Sequence, residues 1–414
     1  MKLYISTVIA ALVVASLALC RCSSDGSGDA EEGRVLYVDS VSGSDDHDGL
    51  SEQTAWKTAA RVNSFSLQPG DTVRFRRGQT FEGGLLLAHS GTAQQPIVFD
   101  AYGEGGRPVL LGSKITTGWS AHSGTIHRRE ISHTPGVTGA GIVLEDGTPL
   151  AFRSWDSSPE KSLGADKGVF TYDPADLTKA VLYVRCSDEA NPSAHTIEAG
   201  HHLFGVRGEN VSNIRIRSLH FKNFSCHGAA MRSCSGVAIS DCVAENIGGA
   251  VLSLSPVLLY GGNGFEFTLN SANCSISGST AMQIFDSGFS PQVFESNTAT
   301  RDVLIENCVA RKCGFAGIEI SVLRYGGSSG ERIEDVRVVS CDISESGAGW
   351  SGVRYGNEGH GIRVNADTGA GSMEKISIER TAVRNCENAG IYIGGESGAV
   401  HISRSLIRGN KAAG

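Results

Sequence analysis

Excess positive charge is missing from this chain: 36 Lys and Arg stand against 44 Asp and Glu, a net charge of −8, and no Lys/Arg stripe could follow a phosphate backbone. Nucleic acid is therefore not an expected partner. Proline is scarce, with ten residues against 53 glycines, and apolar stripes at helical spacing are few. That balance disfavours helical and α/β domains and favours many short strands joined by turns. Eleven cysteines are present, but none stands in a CxxC array, so a zinc ribbon is not indicated and the position of each cysteine matters more than the count. The apolar run at residues 3–19, behind Lys2, is too short and too soon followed by polar residues to span a bilayer permanently.

That run has the form of a secretory signal peptide over residues 1–20. It ends in Leu17-Ala18-Leu19-Cys20, similar to the lipobox of bacterial lipoproteins, in which the cysteine carries the lipid. Leu19 departs from the small residue usual before that cysteine, so ordinary cleavage stays open beside lipidation of Cys20. Residues 21–34 are polar and acidic with nothing to bury, the composition of a flexible tether. An exported protein is expected, periplasmic, extracellular or held at the outer membrane or cell surface, with the membrane reached only through the lipid and a monomer as its solution state.

The second half contains an internal repeat. The eight-residue phrase apolar-x-apolar-x-x-small-x-apolar starts at Ile214, Val237, Cys274, Val303, Val336, Ile376 and Val400. Each copy alternates with the period of a strand and then slips by one residue, which a straight strand cannot do without turning its next apolar side chain to solvent. A bend at the slip removes the conflict. A second phrase, Gly-apolar-x-apolar, follows in Gly317-Ile318-Glu319-Ile320, Gly361-Ile362-Arg363-Val364 and Gly390-Ile391-Tyr392-Ile393, more weakly in Gly288-Phe289-Ser290-Pro291. Each coil thus supplies about three short strands, stacked by parallel pairing about 4.8 Å apart. The expected fold is all-β: a right-handed parallel β-helix over residues 201–414, with an N-terminal β region over 35–112 and an inserted β module over 113–200. Cys242, Cys308 and Cys341 fall on inward positions as small buried thiols, with disulfides or metal binding as the alternatives.

Copies are spaced by 23 to 40 residues. The surplus is expected to loop out after the Gly-initiated strand, at residues 253–273, 292–301 and 321–335, and to wall a cleft. The last residues stop within a coil, so either a short tail covers the end or the chain is truncated.

Tyr37-Val38-Asp39, Gly43-Ser44-Asp45, Asp48-Gly49-Leu50-Ser51, Trp56-Lys57-Thr58 and Leu67-Gln68-Pro69-Gly70-Asp71-Thr72-Val73 with Gly78 resemble the N-terminal region of secreted β-helix proteins in the pectate-lyase-like superfamily. With the coils, the resemblance spans residues 35–112 and 200–414. It implies carbohydrate chemistry in a groove along one parallel sheet, with a polysaccharide or other glycan as partner. It does not fix the reaction. The cluster Asp45-Asp46-His47-Asp48 is dense in hard oxygen donors for Ca²⁺, though a solvated turn is the simpler reading.

The x position of the glycine phrase faces outward and gives the ladder Ser290, Glu319, Arg363, Tyr392. Asp286 and His360 lie just before their strands, and Arg324 and Tyr325 open the adjoining loop. Asp286, Glu319, His360 and Arg363 are the catalytic candidates; Arg324, Tyr325 and Tyr392 are the substrate-binding ones. Elimination, slightly preferred, would use Arg363 to neutralise a uronate carboxylate and His360 or Tyr325 as base. No Lys on the ladder and no Asp cluster matches the lyase pattern. Hydrolysis would use Asp286 and Glu319 as a carboxylate pair. A non-catalytic glycan-binding surface also fits the composition, as does a surface ion pair between Glu319 and Arg363.

Overall fold

The computed structural model describes residues 33–132, 140–173, 179–253, 259–324, 329–351 and 358–411. Three long parallel sheets wind around one apolar interior. The first has ten strands, from Val35–Val38 to Val400–Ser403, the second nine, from Thr80–Glu82 to Leu406–Arg408, and the third eight, from Leu85–Leu87 to Ile391–Gly395.

The repeat sets the register. Ile214, Val237, Cys274, Val303, Val336, Ile376 and Val400 stack in one inward ladder of the first sheet, and Ile97 extends it into the N-terminal region. At the slip in each phrase stands one residue with positive φ: Ser218, Asp241, Gly278, Asn307, Ser340, Arg380 and Arg404, all between 48° and 56°. This left-handed residue turns the chain from the first sheet into the second and keeps the following side chain inside.

The interior is filled by ladders. In the third sheet Val206, Ala229, Phe265, Phe289, Ile318, Ile362 and Ile391 stack in register, with the Phe265 and Phe289 rings 5.4 Å apart and nearly parallel. The nine cysteines among the described residues are all buried and free. Cys242, Cys308 and Cys341 point inward and donate to backbone carbonyls, and burial pushes the Cys242 thiol up to about 12.

The glycine that opens each third-sheet strand has a steric cause. Gly205, Gly228, Gly264, Gly288, Gly317 and Gly361 point inward, and a Cβ on any of them would lie 2.4–2.8 Å from the carbonyl oxygen of the equivalent glycine one coil on. At Gly361 it would also lie 2.1 Å from Val383 Cγ1. Since a backbone carbonyl in a ladder cannot step aside, Gly361→Ala is expected to cost about 3 kcal/mol, the upper end for overpacking a core. Urea unfolding checks this; a shift under about 0.5 kcal/mol would mean that the coils can move apart.

The chain leaves the second sheet after Val109–Leu111 and returns at Phe204–Glu209 in the third. Between lie two sheets, an antiparallel one of four strands containing Val143–Glu145 and Ile197–Gly200, and a mixed one of five containing Val169–Tyr172 and Lys179–Arg185, in which only Ala151–Phe152 pairs in parallel. The largest excursions therefore precede the third sheet, contrary to the expectation that they follow it. Among the described residues they are this module and the hairpin Ala250–Ser253 with Leu259–Gly261. The stretch 253–273, expected to be one insertion, contains the third-sheet strand Phe265–Thr268, and half of residues 292–301 belong to the strands Ser287–Val293 and Ala299–Glu306.

The Asp45 cluster serves its own turn. Asp45 accepts from the Lys57 and Thr58 amides and the Thr58 hydroxyl at the start of the helix Ala59–Asn63, and Asp48 accepts from the Leu50 amide and the Thr54 hydroxyl. Cys20 and the leader lie outside the described residues.

Candidate active site

The outer face of the third sheet carries one continuous ladder: Leu86, Arg207, Ala230, Glu266, Ser290, Glu319, Arg363 and Tyr392. The four positions expected from the glycine phrase stand in consecutive coils, as the period requires. Glu266 belongs to the same ladder and escaped the sequence reading, although Gly264-Phe265-Glu266-Phe267 matches the phrase; the hairpin ahead of it displaces the copy.

Glu319 is not the exposed residue that alternation suggested. It points away from the core yet is only 4% exposed, enclosed by its partners. One carboxylate oxygen accepts from the Ser287 hydroxyl at 2.9 Å and the Gln292 amide at 2.9 Å. The other accepts from the Ser321 hydroxyl at 2.7 Å and faces Arg363 Nη1 at 3.5 Å. The surface-pair reading falls with it, since the Arg363 side chain is 11% exposed. Arg363 Nη1 also donates to Ser321 Oγ at 3.0 Å, and the guanidinium lies over the Phe315 and Tyr392 rings, 5.1 and 5.8 Å from their centres. Its Nε is buried with no hydrogen-bond partner among the described residues.

His360 is buried, its ring stacked on Tyr392 at 4.8 Å. Asp286 is half-buried in the bend ahead of Ser287–Val293; its amide donates to the Gly262 carbonyl and its carbonyl accepts from the Phe315 amide. Arg324 lies apart from this group, at the opposite end of its strand, where its amide and guanidinium bond to Asp367 and the Thr368 carbonyl. Tyr325 lies outside the described residues.

Lower on the face, Asn263 donates to Glu266 Oε2 at 2.9 Å, and the Asn263 amide donates to His227 Nδ1 at 3.0 Å. Burial pushes the His227 imidazole below its usual range, with the Glu266 charge opposing. The Glu266 side chain is 13% exposed. Beyond it, Leu86, His202, Phe204 and Arg207 line an open depression of about 260 Å³. Aromatic residues wall the face on the side where the strands begin: Phe152 and Phe170 of the inserted module pack with Tyr260, Phe285 and Trp350.

No family model matches the sequence. Over 117 residues the chain is 32% identical to lacto-N-biosidase of Bifidobacterium longum subsp. longum, covering 26% of this chain and 7% of that enzyme. The chain thus matches only a small part of this relative's length. Among solved structures it is similar to XylC in complex with xylose (TM-score 0.56, 10% identity, 90% of this chain and 70% of that one) and to pectate lyase Pel9A (TM-score 0.49, 12% identity, 90% and 68%). The chain has the fold of a right-handed parallel β-helix.

Proposed function

We propose that this protein is an exported, lipid-anchored enzyme that cleaves a glycan by hydrolysis on the outer face of the third sheet. The supporting observation is the ladder itself, which sets Glu319, enclosed by Arg363 and three hydrogen-bond donors, two rungs from Glu266. Two rungs of parallel sheet put the backbones about 9.6 Å apart, close to the roughly 6.5–9.5 Å carboxyl separation of inverting glycosidases. Glu319 is then the base that activates water. Glu266, the less enclosed of the two, carries the proton to the leaving oxygen. Arg363, Tyr392 and the Arg207–Phe204 depression hold sugar hydroxyls and ring faces. The local likeness to a protein named lacto-N-biosidase supports hydrolysis over elimination.

Arg363 favours a second reading, elimination beside a uronate, because a guanidinium is suited to a sugar carboxylate. Products separate the two. On a panel of neutral and acidic polysaccharides, new reducing ends without near-ultraviolet absorbance are the expected result. An absorbing unsaturated uronate would replace hydrolysis by elimination, and binding with neither product would make the protein a glycan-binding module.

A further inference from the structure

A second cluster of chemistry-bearing side chains lies in the inserted module, away from the coils. Three segments supply it: the end of Val143–Glu145 with Asp146, the residues after Lys179–Arg185, and His195 behind the turn Pro192–Ala194. The His195 Nε2 atom faces Glu145 Oε1 at 3.4 Å and Asp188 Oδ1 at 3.2 Å, while Nδ1 faces Asp146 Oδ2 at 2.8 Å. Cys186 Sγ completes the group, with the Cys186, Glu145 and His195 donor atoms all within 4.8 Å of one another.

Two observations separate this group from an ordinary surface ion cluster. First, the Cys186 thiol is fully buried but makes no hydrogen bond among the described residues, whereas the coil cysteines Cys234, Cys274, Cys313 and Cys386 each donate to a carbonyl. The thiol sits at the edge of the module's apolar cluster, with Sγ within 4.8 Å of a Glu145 oxygen and a His195 nitrogen. Second, the ligand-bearing groups are already oriented. Asp146 holds Nδ1, and Ser187 donates its amide and hydroxyl to Glu145, each at 3.0 Å. A carboxylate on the far ring nitrogen is the usual outer support of a metal-bound histidine.

We propose that Glu145, Cys186, Asp188 and His195 form a structural zinc site in the inserted module, with Asp146 as the positioning residue for the imidazole. Four donors about 2.0–2.3 Å from a tetrahedral centre lie roughly 3.3–3.8 Å from each other, so the 3.4 and 3.2 Å separations from Nε2 are near the edges of such a site, and Cys186 Sγ, within 4.8 Å of the Glu145 and His195 donors, needs only a small approach. Sulfur and imidazole nitrogen beside two carboxylates suit zinc and disfavour calcium and magnesium. Binding releases the Nε2 proton and the thiol proton. With four protein ligands the site is closed, and it ties three separate segments together, a role independent of glycan cleavage.

Cobalt and zinc added to the chelator-treated full chain test this. The expected result is about one equivalent of Co²⁺ bound, with the intense visible bands of tetrahedral cobalt and a thiolate charge-transfer band, both displaced by Zn²⁺. Cys186→Ser should remove the charge-transfer band, Cys313→Ser should keep it, and Asp146→Asn should weaken zinc binding about 10–100-fold. Far-ultraviolet circular dichroism of each variant confirms that it is folded. Failure to bind stoichiometric cobalt or zinc, or a charge-transfer band that survives Cys186→Ser, would overturn the proposal.

Discussion

Glu319→Gln is expected to lower turnover about a hundredfold or more, the usual consequence of removing a general base, while also destabilising the fold. The second effect follows from the enclosure of the carboxylate. The amide keeps the volume but leaves Arg363, 11% exposed, without its counter-charge, and breaking a buried pair by neutralising one member costs about 3–5 kcal/mol. The residual exposure of Arg363 and its contacts with Phe315 and Tyr392 place the cost near 3 kcal/mol. Arg363→Met in the same background removes the stranded charge, so the double variant should regain most of the stability. It should not regain turnover. If turnover returns with stability, Glu319 is only the counter-ion of Arg363 and the base lies elsewhere, with Asp286 the next carboxylate to test.

The ladder of Ser290, Glu319, Arg363 and Tyr392 was legible because the glycine phrase recurs once per coil and side chains alternate with period two. The same logic applied to Glu266, but the antiparallel hairpin ahead of its strand made residues 253–273 resemble a loop. Alternation tells which way a side chain points, not what encloses it. Glu319 is buried because Ser321, two residues along its own strand, Gln292, in the neighbouring strand, and Ser287, ahead of a glycine, all turn donors toward it. The glycine itself was recognised as a strand opener, whereas its cause, a carbonyl of the next coil where a Cβ would sit, exists only once the coils are stacked. Cys186 could not be linked to Glu145 and His195 from spacing, since the module has no repeat and its antiparallel pairing brings distant segments together.

The inserted module and the glycan face should be coupled through Phe285, and Phe285→Ala measures the coupling. The ring is fully buried in the bend ahead of Ser287–Val293, with Phe152 of the module at 5.5 Å, Tyr260 of the hairpin at 5.6 Å and Trp350 at 5.6 Å between centres. It packs on bare backbone: a Cβ on Gly249 would lie 2.2 Å from the ring. On the Gly249 side no side chain is placed to fill the space that alanine would leave. Truncation should cost about 3–5 kcal/mol, the range for a buried phenylalanine, and the loss should appear first as faster hydrogen exchange in residues 113–200, with the coils still protected. Two residues beyond the ring, Ser287 donates to Glu319, so a relaxed bend should also reduce turnover. Exchange that quickens uniformly along the coils, or a loss below about 1 kcal/mol, would show that the module is held by other contacts and that the aromatic wall does not position Ser287.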